Sequence, residues 1–176
     1  MNPFTQNPPS SFDPIFSRIG NDWMLICASD GTVTNAMTAS WGCCGILWNR
    51  PVAICFVRPE RFTYPLLESA THFSLAFFEN KYRDALTFCG RNSGRDCDKL
   101  ALAGLTPRMT AQGVPYPAEA SEILICRKLY ADSIQKNAFC DSTLTEHYKD
   151  LGFHRFFVGE IESYLRRTQE SNNTCE

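Results

Sequence analysis

Long hydrophobic runs and a strong net charge are both missing from this sequence of 176 residues. A helix that crosses a bilayer needs about 20 consecutive apolar residues, and no run approaches that length. The formal net charge of −2 gives no electrostatic reason to expect nucleic acid or an anionic membrane as a partner. Residues 1–9 are neither basic nor strongly apolar, unlike a secretory signal, so we expect a cytoplasmic protein.

The common catalytic and metal-binding motifs are absent as well. The sequence contains no G-x-S-x-G nucleophile elbow, no Walker loop and no G-x-G-x-x-G dinucleotide fingerprint. It therefore gives no indication of serine hydrolysis or of nucleoside triphosphate binding. It has no C-x-x-C pair, and its three histidines do not have the spacing of zinc ligands. We expect no metal site.

Cysteine, by contrast, is abundant, with nine residues. In a secreted protein such a count would suggest disulfides. Here Cys27, Cys55 and Cys126 lie inside apolar runs, where a thiol behaves as a small buried hydrophobe. We therefore expect free thiols in a reducing compartment.

The length and composition fit one globular domain. Hydrophobic residues make up 44% and charged residues 20% of the chain, which is typical of globular proteins. No internal segment resembles a linker. The polar ends, rich in proline or asparagine, are predicted to be flexible tails at 1–11 and 169–176, which leaves 12–168 as the domain.

Most of the chain has the pattern of strands with short helices between them. A parallel sheet needs a regular helix after each strand, and the sequence does not supply one. An antiparallel sheet closed into a barrel fits better, because closure leaves no exposed edges. The predicted strands are 23–28, 33–41, 52–58, 73–78, 123–134 and 154–165, with a break at 49–51. The predicted helices are 63–70, 81–88, 97–103 and 143–151.

A weakly apolar segment at 35–42 is the first candidate ligand site. Its small residues would let a flat ligand approach the backbone. Asn35, Thr38 and Ser40 offer hydrogen bonds, and Trp41 offers a face for stacking. The alternative is a half-buried strand whose polar residues face water.

Three further segments carry polar residues that suit a ligand. Arg58, Arg61 and Thr63 precede a helix start and suit a phosphate, although the arginines of a solvated loop would instead pair with Glu60 or Glu68. The glycine-punctuated loop at 90–99 is able to reach over a ligand or to be a plain connection. A histidine opens the last predicted strand, where it is either a ligand contact or an ordinary satisfied polar residue.

In this order the segments resemble the flavin reductase-like family of FMN-binding split barrels, and the flavoredoxins within it. The matching stretches are 30–31 with 35–41, then 58–64, then 93–96 with 98–99, and finally 154 with 159–160. The resemblance implies a mainly β fold, an antiparallel split β-barrel with short inserted helices. It also implies a homodimer with FMN near the subunit interface.

The resemblance further implies roles for individual residues. The 35–41 segment would line the isoalloxazine and the ribityl chain, Arg58, Arg61 and Thr63 would hold the phosphate region, and Lys99 and His154 would approach the ring. The sequence departs from the family pattern at Cys43 and Cys44, and at Leu100, where an aromatic residue is common. The full predicted cofactor-binding set is Asn35, Met37, Thr38, Ala39, Ser40, Trp41, Arg58, Arg61, Thr63, Tyr64, Ser93, Arg95, Lys99 and His154.

Flavin-based chemistry needs no protein acid, base or nucleophile, since the flavin supplies the redox step. The sequence therefore favours an oxidoreductase that takes electrons from NADH or NADPH through FMN to free flavin, iron or another protein. A flavoredoxin-type electron carrier without NAD(P)H activity is the alternative. A barrel-shaped binding module that has lost its flavin is a third interpretation.

Overall fold

The computed structural model, which describes residues 4–7, 15–149 and 151–168, is built around one large antiparallel sheet. Its strands are β1 (Phe4–Asn7), β2 (Met24–Ser29), β3 (Thr34–Ala39), β4 (Gly42–Leu47), β5 (Arg50–Val57), β6 (His72–Phe77), β9 (Glu122–Ser133) and β10 (Arg155–Arg167). Two short strands, β7 (Pro107–Met109) and β8 (Pro115–Pro117), form a separate hairpin.

The helices of the described chain are short and lie between the strands. They are α1 (Ile15–Gly20), α2 (Thr63–Ser69), α3 (Arg83–Arg91) and α4 (Lys99–Leu102), with 3-10 turns at Asn80–Tyr82, Lys136–Ala138 and Ser142–Tyr148. None of the helices in these described ranges has the length and apolar character that crossing a membrane requires. The predicted mainly β, antiparallel architecture with short inserted helices is confirmed.

The main sheet is rolled but not closed. Its hydrogen-bonded order is β3-β2-β6-β9-β10-β5-β4, and β1 pairs with β10 outside this path. Strand β3 stands at one end of the path, yet it contacts β5, which is next to the other end. The two strands also contribute to one buried cluster, β3 through Met37 and Ala39 and β5 through Ala53, Cys55 and Val57. The split of the barrel therefore lies between β3 and β5.

Strand β2 shows why the apolar runs of this sequence are continuous. Successive side chains of a strand point to opposite faces. Met24 and Ile26 belong to the cluster inside the barrel, whereas Leu25 and Cys27 belong to a second buried cluster under α3, α4 and the segment that follows them. Because both faces are covered, both sets of alternating residues are apolar.

Strand β4 is absent from the sequence-based prediction, and the bounds around it differ. The predicted strand 33–41 ends at Ala39, and β4 follows after Trp41. A tight turn joins β4 to β5, with positive φ of 52° at Trp48 and 56° at Asn49. This is the backbone of a turn whose twist matches an antiparallel pair. The predicted break at 49–51 is therefore wrong for Arg50 and Pro51, which are the first two residues of β5.

The predicted flexible tail at 1–11 is wrong for Phe4–Asn7. These residues form β1 and pair with the end of β10, Phe4 opposite Arg167. The Arg167 guanidinium also lies over the Phe4 ring, 5.1 Å from its centroid. The rest of that predicted tail, and the tail at 169–176, lie outside the described residues.

Helix starts are the other local corrections. The hydroxyl of Thr63 favours this residue as the cap of the predicted helix 63–70, but the cap position of α2 is Phe62, and Thr63 is a buried first residue of the helix. Thr143 was predicted to open an α-helix, but Asp141 accepts the backbone N–H of Thr143 at 2.9 Å and opens a 3-10 turn instead. In both cases a hydroxyl was assigned to the cap, whereas tertiary packing or a neighbouring carboxylate determines the local structure.

Candidate functional site

A cleft of about 280 Å³ opens at the split between β3 and β5. The cleft exists because these two strands are not joined by backbone hydrogen bonds within the described chain. The end of β3, the loop after β5 and the residue before β10 converge on it. The lining residues are Met37, Thr38, Ala39, Ser40, Trp41, Phe56, Arg58, Arg61 and His154. All of them except Phe56 belong to the predicted cofactor-binding set.

A smaller cavity of about 120 Å³ adjoins the cleft. Arg61 lines both. Four basic side chains face this cavity, which we call the cationic pocket: Arg61, Arg91, Arg95 and Lys99. The remaining lining residues are Glu60, Phe62, Thr63, Asn92 and Ser93. The pocket forms where the loop before α2 meets the end of α3 and the start of α4.

Lys99 carries a buried charge, and no carboxylate of the described residues forms an ion pair with it. Its side chain is 3% exposed, and its Nζ donates to the carbonyl oxygens of Cys89 at 3.1 Å and Asn92 at 3.3 Å. Burial lowers the pKa of the Lys99 ammonium, because the charged form loses hydration. An anion in the cationic pocket would offset this penalty.

Arg61 is in a similar position. Its Nη2 donates to the Gly90 carbonyl at 3.0 Å, and burial lowers the pKa of the guanidinium. In the described part of the chain, none of the four cations of the pocket forms an ion pair. A fork of guanidinium N–H groups beside an ammonium is an arrangement that suits a phosphate.

Arg58 brings an unused donor to the cleft. Its Nη2 donates to the His147 carbonyl at 2.9 Å, and its guanidinium lies 5.6 Å from the centroid of the Tyr148 ring. Its Nη1 is buried and has no partner among the described residues. A buried N–H without an acceptor is unfavourable, so this atom favours a ligand acceptor in the cleft.

An aromatic wall borders the cleft on the other side. The Trp41 and His154 rings lie 4.8 Å apart, and the Tyr148 hydroxyl lies 3.3 Å from His154 Nδ1. His154 is 8% exposed. Burial first, and then the nearby Arg58 charge, lower the pKa of His154 to about 4. The imidazole is therefore neutral at neutral pH and adds no charge to the wall.

Asn35, Tyr64 and Lys99 are members of the predicted set that do not line the cleft. Asn35 is buried and donates to the Thr63 hydroxyl at 2.8 Å. Tyr64 packs against the barrel interior, 6.4 Å from the Phe157 ring centroid, and lines neither cavity. Lys99 was expected beside the ring together with His154, but it lines the cationic pocket with Ser93 and Arg95 and not the cleft. These differences arise from loop packing, which no local pattern reports.

Sequence reasoning missed Phe56 and Arg91. Phe56 stands in the apolar run of β5, where nothing distinguishes a cleft-facing residue from a core residue. Arg91 is the last residue of α3 and lies inside the candidate segment 90–99, but it is not in the predicted cofactor-binding set. Its basic side chain at the start of that segment was the only sequence signal for a place in the pocket. In the described ranges, no group of three or more His, Cys, Asp and Glu side chains is placed to hold a metal ion.

The split barrel, with a polar-edged cleft at its opening, is the architecture of FMN-binding split-barrel proteins. A model of the flavin reductase like domain matches residues 16–174, and the chain belongs to the flavin reductase-like family of FMN-binding proteins. The predicted family and the predicted split-barrel fold are both confirmed.

Solved structures share this fold at low sequence identity. An FMN-binding domain of a flavin reductase-like enzyme from Shewanella baltica is 16% identical, with a TM-score of 0.69 over 98% of this chain and 81% of that one. Flavoredoxin from Methanosarcina acetivorans is 20% identical, with a TM-score of 0.66 over 85% and 69%. An NADH:FAD oxidoreductase from Streptomyces globisporus is 16% identical, with a TM-score of 0.63 over 82% and 75%. No curated protein has a significant match to the chain.

Proposed function

We propose that this protein binds FMN and passes electrons through it, as an oxidoreductase that takes them from NADH or NADPH. The acceptor would be free flavin, iron or another protein. The observation that carries the proposal is the pairing of an aromatic-walled cleft with a pocket of four cations, one of them the buried Lys99, that form no ion pair within the described chain. A flat ring joined by a chain to a phosphate suits these neighbouring cavities, because the ring fits the cleft and the phosphate fits the cationic pocket.

The residues present fit FMN. Lys99, Arg61, Arg91 and Arg95 would hold the phosphate, since no carboxylate of the described chain forms an ion pair with them. Trp41, Phe56 and His154, with the end of β3, would contact the ring, and the free Arg58 Nη1 would donate to a ligand oxygen. When bound, FMN supplies the hydride and electron chemistry. The protein binds the ring, orients it and excludes water. This assignment moves Lys99 from the ring to the phosphate.

The identity of the flavin is the first test. The protein should bind one FMN, which is released on denaturation and identified by chromatography. The single compact cationic pocket offers a place for one phosphate and no second site for an adenylate. Stoichiometric FAD in place of FMN would contradict the proposal.

The phosphate assignment is tested with a matched pair of flavins. FMN and riboflavin share the ring and differ in the phosphate. Arg61→Ala and Lys99→Met should each weaken FMN binding by about tenfold or more, because a charge-assisted hydrogen bond contributes about 1.5–3 kcal/mol. Riboflavin affinity should not change. Arg108→Ala, an exposed substitution on β7, is the control. Equal losses for both flavins would place the phosphate elsewhere.

A flavoredoxin-type carrier without NAD(P)H activity is the second candidate, and the likeness to a flavoredoxin structure favours it. Anaerobic titration of the FMN-loaded protein with NADH and with NADPH separates the two. Loss of the oxidised flavin absorbance at stoichiometric nucleotide supports the oxidoreductase. No reduction by either nucleotide, with normal reduction by dithionite, supports the carrier.

We also propose a homodimer with FMN near its interface. The β4–β5 hairpin supports this, since it lies at an edge of the sheet and exposes Ile46 and Trp48, the latter 57% exposed. Unpaired apolar edges favour association. Sedimentation should give a two-chain mass, and a monomer that keeps its FMN would refute the shared site. A cytoplasmic location is part of the same proposal, supported by the eight free cysteines of the described chain.

A further inference from the structure

Another cavity lies beside the cleft. Its volume is about 650 Å³, and it is formed by α1, the start of β4, Phe56 of β5 and the segment 134–148. We call it the apolar groove. It shares Ser40, Trp41 and Phe56 with the cleft. A compound in the groove would therefore contact Trp41 and Phe56, which also line the cleft.

The groove has no formal charge in its lining. Among the described residues that line it there is no Asp, Glu, Lys or Arg, and His147 is the only histidine. This is the reverse of the cationic pocket, which has four basic side chains. An ionised compound would lose its hydration in the groove without gaining a partner, which is strongly unfavourable. The lining therefore selects for a neutral ligand.

The rim of the groove exposes large apolar side chains. Phe16 is 91% and Leu144 47% exposed, and both line the cavity with Trp41 and Tyr148. Apolar surface concentrated at a concave site indicates a binding site rather than ordinary surface scatter. The volume falls in the range of about 300–1,000 Å³ that small-molecule sites occupy. Aromatic walls favour flat rings, because such rings stack or meet edge to face.

We propose that the apolar groove binds a neutral, flat ring compound of the size of naphthalene. The proposed binding of this compound depends only on the residues that line the groove. The further role of such a compound as the acceptor or donor of the flavin's electrons rests on the proposed function, since it depends on FMN in the adjoining cleft.

The proposal is tested with two ligands of one shape. 2-Naphthamide is neutral, whereas 2-naphthoate has the same rings and a carboxylate. Calorimetric titration of the full chain should show binding of the amide, and at least about tenfold weaker binding of the carboxylate. Equal or tighter binding of 2-naphthoate would overturn the proposal, because it would place the ligand on the arginines of the cleft or pocket.

Two leucine-to-lysine variants locate the site. Leu144→Lys adds a charge at the rim and should weaken 2-naphthamide binding by about tenfold. Leu102→Lys on α4, where the leucine is 66% exposed and outside the groove, should leave it unchanged. Equal effects of both variants, or no effect of Leu144→Lys, would overturn the assignment.

FMN binding, measured separately by flavin absorbance, distinguishes this inference from the proposed function. A protein that binds 2-naphthamide but not FMN refutes the proposed function and supports the groove. A protein that binds FMN but not 2-naphthamide refutes the groove. If the wild type is a dimer that does not bind 2-naphthamide and Leu144→Lys is a monomer, a second copy covers the groove and the small-molecule proposal is wrong.

Discussion

Mild acid should destabilise the fold through His154. Burial and the nearby Arg58 charge lower the pKa of this imidazole to about 4, whereas a histidine of an unfolded chain titrates near about 6.5. As the pH falls, the unfolded state binds the proton first, and linkage then favours unfolding. The stability that the neutral imidazole contributes is complete above about pH 6.5 and is lost progressively as the pH falls towards about 4.

The magnitude follows from the two titration curves. At about pH 5 the unfolded imidazole is almost entirely protonated, while the folded one is mostly neutral. The difference lowers the free energy of unfolding by about 2 kcal/mol relative to about pH 7.5. Since the whole stability of a domain is about 5–15 kcal/mol, a loss of this size is readily measured.

Urea denaturation of the wild type and His154→Gln at both pH values is the assay. Glutamine keeps a polar group near the Tyr148 hydroxyl but does not titrate. Carboxylates with a lowered pKa that do not interact with His154, such as Asp30, contribute to acid destabilisation of both proteins, so they cancel in the comparison. The wild type should lose about 2 kcal/mol more than the variant between the two pH values. Equal losses would show that His154 titrates normally in the fold and would refute the reasoning.

Two further predictions concern packing and thiol exposure. A Cβ at Gly159 would lie 2.7 Å from the Cys126 side chain, whereas one at Gly45 meets nothing within 4 Å. Gly159→Ala should therefore lower the free energy of unfolding by about 1–3 kcal/mol, as measured by urea denaturation. The control, Gly45→Ala, should show little change. Equal effects would mean that the barrel wall relaxes around the methyl group. Cys43 is exposed and Cys55 is buried, so a maleimide should label Cys43 in the native protein and Cys55 only after unfolding. Peptide mapping by mass spectrometry checks the order, and early labelling of Cys55 would contradict the described burial.

The strands that sequence reasoning found are those with a strong local signal. β2 and β5 have apolar runs because both of their faces are covered, and such a run indicates a buried strand without knowledge of its partners. β4 lacks that signal, since it begins with Gly42 and Cys43 and is held by its hairpin with β5. β1 lacks it as well, because its order depends on pairing with β10, far away in the chain.

The family and the antiparallel architecture were determined by the sequence alone, because each is a local pattern or an ordered set of such patterns, and the four polar segments of the candidate site were chosen on the same kind of signal. Tertiary structure decided which residues face which cavity. Three features depend on the packing of segments that are distant in the chain. They are the grouping of Arg61 with Arg91 and Lys99, the hydrogen bond from the buried Asn35 to Thr63, and the groove beside Trp41. The local sequence pattern indicates the secondary structure and the polarity at each position. Which charges lie beside a given side chain is decided only when the sheet rolls and the loops come together.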